Sequence, residues 1–60
     1  MIYFVFQDVA GELPAIRFET AAENQAEDYC IYANASLAIA GIPTAVSCFY
    51  VVSSAGEVLA

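Results

Sequence analysis

The titratable side chains of this 60-residue chain are seven carboxylates, two thiols, four phenols and one guanidinium, with no histidine and no lysine. Without an imidazole, no hydroxyl or thiol has the base that a Ser-His or Cys-His pair requires, and without a lysine there is no Schiff-base amine. Glu23 and Glu27 are four apart and would share one helix face with Glu19 nearby, an oxygen set of the kind hard cations use. The start of a helix selects for the same carboxylates through its dipole, and no Asp-x-Asp-x-Asp-Gly loop accompanies them. The dipole is the simpler reading, so no metal or other cofactor is expected. Cys30 and Cys48 form no Cys-x-x-Cys pair, which leaves zinc and thioredoxin-type chemistry without support. They make either one bridge or two thiols, and two buried thiols is the preferred reading. Gly11, Gly41 and Gly56 stand singly rather than in a phosphate-binding loop. Catalysis by paired carboxylates would need a pocket that so short a chain hardly encloses. The inventory points away from an enzyme.

Charge narrows the partners. A formal net charge of −6, with Arg17 the sole side-chain cation, repels nucleic acid. It favours instead a protein with a basic surface. The segment Met1-Ile2-Tyr3-Phe4-Val5-Phe6 lacks a basic leader region and soon meets Asp8, so a cytoplasmic location is expected. On that expectation the Asn34-Ala35-Ser36 sequon is a chance match. The span from 35 to 52 is uncharged, and a membrane-active protein using it is the alternative from another class. Gly41-Ile42-Pro43 at its centre and the lack of flanking cations speak against insertion. A small-ligand or metal-binding domain is the third class, with nothing specific to support it.

The elements that position these groups follow from periodicity. Residues 1–60 read as a single domain. Ile2 to Val9 is aromatic and β-branched, Ala10 to Pro14 supplies turn residues, and Ala15 to Glu19 alternates, so a β-hairpin opens the chain. Thr20 and Glu23 fit a capping box, and a helix is expected from Ala21 to near Ala40, stopped by Gly41 and Pro43. Its core stripe comprises Ala22, Ala26, Tyr29, Cys30, Ala33, Leu37 and Ala40. Thr44 to Val52 reads as a third strand and Glu57 to Ala60 as a short fourth. The fold class is α+β: ββαββ, a four-stranded antiparallel sheet in the order 2-1-3-4 with one helix packed on one face.

Hydrophobic residues make up 62% of the chain, against roughly 45–50% in ordinary globular proteins. A core of this size cannot enclose them all. The assignment that faces Phe4, Phe6, Ile16, Phe18, Phe49 and Val51 to the helix turns Tyr3, Val5, Arg17, Val46, Cys48, Tyr50 and Val52 outward. A one-residue shift exchanges the two sets without removing the surplus, because the first and third strands are apolar on both faces. The outward face therefore needs a cover, and a second copy packed back to back is the economical one, making a homodimer. The candidate contact residues are Tyr3, Val5, Arg17, Cys48 and Tyr50 on the sheet, with Glu19, Glu23, Glu27 and Asp28 as an acidic set.

A hairpin opening at Met1, the run Glu19-Thr20-Ala21-Ala22-Glu23 leading into one helix, and a closing hairpin through Val46-Ser47-Cys48-Phe49-Tyr50 complete the plan. It resembles that of small acidic proteins encoded by phages and mobile elements, anti-CRISPR inhibitors among them. The resemblance spans the chain in architecture and size and carries no residue roles with it. It implies a protein that binds and blocks a larger host complex, often at a basic nucleic-acid-binding surface. The chain differs from a nucleic-acid mimic in having no long acidic run. The expectation is a small acidic protein-interaction module that binds and modulates, by inhibition, a larger protein.

Overall fold

In a computed structural model that describes residues 1–59, β1 (Tyr3–Val9) and β2 (Ala15–Thr20) form the opening hairpin. Gly11 turns the chain between them at φ 82°, a conformation that costs a glycine little. α1 (Glu23–Ile39) follows, and β3 (Ser47–Ser53) returns beside β1. The sheet is three-stranded and antiparallel in the order β2-β1-β3, with the helix on one face, giving an α+β, ββαβ fold.

The expected fourth strand shrinks to a single bridge. Gly56 takes φ 85° in the turn after β3. The Ser53 N–H then donates to the Glu57 carbonyl, the Leu59 N–H donates to the Val51 carbonyl, and Val58 pairs with Val52. Among the described residues the pairing stops at that bridge, and Ala60 of the expected strand lies outside them. The span from 35 to 52 divides among the end of α1, a turn and β3. No helix among the described residues is long and apolar enough to cross a membrane.

The helix starts later than a Thr20 cap requires. Thr20 is still paired with Tyr3 in the sheet, so its backbone stays extended and Ala22 becomes the N-cap, with no side-chain cap. The Thr20 hydroxyl instead accepts from the Ala22 N–H at 3.1 Å and donates to Gln25 Oε1 at 2.9 Å. Gln25, not Glu23, is therefore the helix residue that meets Thr20, through its hydroxyl rather than its backbone N–H. The other end stops as the sequence suggests. Gly41 at φ 76° donates to the Ala38 carbonyl and Ile42 to the Leu37 carbonyl, the paired bonds of a Schellman motif.

Val5, Val51, Ala26 and Cys30 are buried together, with Tyr3, Phe18 and Phe49 packed around them. Tyr29 stacks on Phe18 with ring centres 4.9 Å apart and meets Phe49 edge-on. Ala26 and Cys30 are small, so the helix lies low over the two valines. This core inverts the assignment of β1. Val5 is directly opposite Val51 and Phe18, and opposed residues share a sheet face. A helix-facing Val51 therefore takes Val5 with it and turns Phe4 and Phe6 to the other side. In β2 the pairing steps from Phe18 to Ile16 as β1 steps from Val5 to Phe6, leaving Arg17 as the extra residue of a bulge. The bulge explains why Phe18 faces the helix while Ile16, two residues away, does not.

Candidate functional site: the open face of the sheet

Pairing alone sets out the face that the helix leaves bare. One row across the strands reads Glu19, Phe4, Val52 and Val58; the next reads Ile16, Phe6 and Tyr50; the third reads Asp8 and Cys48. Phe6 and Tyr50 stack with centroids 5.7 Å apart and planes 9° from parallel, and Phe4 meets Phe6 edge-on at 6.5 Å. These rings shield one another to half-burial, while Ile16 and Val58 remain 53% and 68% exposed. Nothing in the described chain lies over them. Asp8 and Glu19, both exposed, are the charged groups of this face.

The lone guanidinium is committed elsewhere. Gln7 shares the helix side with Val5, and Ser47 shares it with Phe49 and Val51. Arg17 Nε donates to Gln7 Oε1 at 2.9 Å, and Gln7 Nε2 donates to Ser47 Oγ at 3.0 Å. This polar tie crosses all three strands on the helix side. The outer strand β2 carries the Arg17 bulge with Glu19 close by, features that discourage strand-to-strand extension. The opposite edge is closed at Phe49, whose N–H donates to Asn34 Oδ1 at 2.8 Å and whose carbonyl accepts from Asn34 Nδ2 at 3.0 Å. One amide from the helix thus substitutes for a neighbouring strand. Asn34, noticed in the sequence only as a sequon, is part-buried and fully engaged there.

The expected contact residues separate under this geometry. Cys48 and Tyr50 lie on the open face, as expected. Val5 is fully buried beneath the helix and has no surface to offer a partner. Tyr3 is half-buried on the helix side, and Arg17 projects to that side as well. Glu19 sits at a corner of the open face opposite Phe4, whereas Glu23, Glu27 and Asp28 belong to the first turns of α1. The sheet therefore stands between Glu19 and the other three. No group of three His, Cys, Asp or Glu side chains suited to a metal ion forms among the described residues, and they enclose no pocket.

Electrostatics follows the same division. Hydrogen bonding to Glu23, partial burial, and the charges of Glu23 and Asp28 raise the Glu27 carboxyl above its ordinary range. Burial, then the nearby Glu23 carboxylate, raises the Tyr3 phenol. Cys30 is raised chiefly by burial and further by Cys48, with the Asn34 hydrogen bond opposing. It stays a thiol and approaches the Phe49 carbonyl at 3.2 Å. Both cysteines are unbridged. They occupy opposite sides of the sheet, Cys30 in the core and Cys48 beside Asp8 on the open face.

Sequence reasoning missed Phe4, Phe6, Ile16 and Val58 as members of this surface. The usable signal was pairing: once Val51 faces the helix, every second residue of β1 follows from the ladder. No protein-family model, curated protein or solved structure matches the chain.

Proposed function

We propose that this chain is a protein-interaction module, not an enzyme, which docks by the open face of its sheet onto a larger protein and modulates it by occlusion. The observation that carries this reading is the paired apolar face of Phe4, Phe6, Tyr50 and Val52, left bare by the helix and bordered by carboxylates alone. Contiguous apolar surface of this type is retained where another macromolecule covers it, and tyrosine and phenylalanine are among the side chains enriched at such contacts. The partner that fits has an apolar patch flanked by lysine or arginine. A second copy fits this face less well, because its guanidinium lies on the helix side and it would add carboxylates without a cation. The resemblance to phage-encoded inhibitors suggests the target class, a host defence or nucleic-acid-handling complex whose basic surface would be blocked. Two unbridged thiols suit a reducing, cytoplasmic setting.

Affinity capture with tagged wild-type chain and with Tyr50→Lys, from a host lysate at low and high salt, tests the proposal. A stoichiometric partner held by wild type, lost with Tyr50→Lys and weakened by salt is the expected result. Equal recovery of the same partner by both chains would overturn it.

A further inference from the structure

The helix carries a second uncovered apolar surface. Ile31, Tyr32 and Ile39 on the outer side of α1 are 63%, 75% and 89% exposed, with Ala35 and Ala38 exposed between them. Stepping about 100° per residue places all five in the half of the helix opposite Ala26 and Cys30. We propose that this stripe is a self-association surface, pairing α1 of two copies antiparallel and leaving the two open sheet faces directed outward.

Charge selects the occupant. No charged residue occurs between Asp28 and Glu57, so a second copy meets this stripe without placing a carboxylate in the contact. The open sheet face differs, because it brings Asp8 and Glu19 with it. Charge also selects the direction. A parallel pair sets Asp28 against the partner's Asp28 and adds Glu27 nearby. An antiparallel pair crossing at Ala35 sets Ile31 against the partner's Ile39. It also carries each Asp28 about 10 Å, two helical turns, beyond the crossing. The small side chains of Ala35 and Ala38 allow the axes to approach to the short end of the usual 8–10 Å spacing. Ile31, Tyr32 and Ile39 together expose on the order of 450 Å² per copy, so the pair buries at most about 900 Å², the range of weak, transient contacts. The assembly is accordingly a weak dimer, readily dissociated by dilution. It presents two binding faces at once, and a partner with two sites gains avidity from it.

Sedimentation equilibrium of the full chain tests the proposal without any partner, so its failure leaves the sheet-face reading standing. The wild type should pass from 6.4 kDa to twice that mass as concentration rises. Ile39→Glu, at a fully accessible site, should weaken the dimer by about tenfold or more, with circular dichroism unchanged. Tyr32→Lys, which removes a ring without adding an anion, should act in the same direction, while Tyr50→Lys should leave the dimer intact. Raising salt should tighten self-association slightly, because the copies carry like charge. A wild-type chain monomeric to millimolar concentration overturns the proposal, as does a dimer broken by Tyr50→Lys and untouched by Ile39→Glu.

Discussion

The open face of the sheet and the outer face of the helix are both apolar and both uncovered, yet they are built differently. On the sheet, Phe4, Phe6 and Tyr50 are locked by strand pairing and by one another, and the charges beside them are Asp8 and Glu19. On the helix, Ile31, Tyr32 and Ile39 project singly around two alanines in a stretch without charge. On the proposed reading, the charges at the border, more than apolarity itself, choose the occupant: the sheet suits a basic partner and the helix a second copy.

The largest expected effect removes both surfaces together. Asn34 joins the helix to the sheet edge by satisfying the N–H and the carbonyl of Phe49. Asn34→Leu leaves both groups without that partner and should cost about 2–4 kcal/mol. Urea unfolding should show this loss, and binding at either surface should fall only as far as the folded fraction falls. Val5→Ala, which hollows the same core, should cost about 2 kcal/mol.

A sharper separation comes from Tyr50→Lys, which should weaken partner binding by about thirtyfold or more and leave dimerisation intact, while loss of the stack on Phe6 costs about 1 kcal/mol of stability. Salt should divide the two surfaces next. Raising sodium chloride from about 0.05 to 0.5 M should weaken the sheet-face complex severalfold and leave self-association equal or stronger. Titration calorimetry and sedimentation read the two effects independently.

The smallest effect is that of pH. Cys30 is raised in the folded state by burial, so above about pH 8.5 the unfolded thiol ionises first. The folded state then holds the extra proton, and stability falls as pH climbs toward the folded value. Tyr3 acts in the same sense at higher pH. Glu27, raised as well, makes the chain gain stability as pH drops from neutrality toward the carboxylate range. Thermal melts should thus decline on the alkaline side. Cys30→Ala should flatten the first part of that decline, although it lowers stability overall.

Much of the fold was legible because its signals are local. Alternation marks β2, Gly41 and Pro43 stop α1 where expected, and the small core stripe of Ala26 and Cys30 faces the sheet. The misread parts depend on contacts between distant segments. Thr20 looks like a helix cap until its pairing with Tyr3 holds it in the strand. The faces of β1 cannot be told apart when both are apolar. Only the opposition of Val5 to Val51 settles them, and it buries one expected contact residue while baring two phenylalanines. The bulge at Arg17 has no sequence mark, and it redirects the chain's sole guanidinium to the helix side. The surplus of apolar surface was legible from composition, while its location required the register.

The most direct test of the sheet-face account uses the thiol already present there. Cys48 lies on the open face, and Cys30 is buried in the core, so a photo-crosslinker can be attached at Cys48 under native conditions and irradiated in cell lysate. One crosslinked protein is expected, joined through an apolar peptide with lysine or arginine beside it, with that product lost in Tyr50→Lys. A protein captured instead from a Cys48→Ser, Ile39→Cys chain labelled on the helix, with none captured from Cys48, would contradict it.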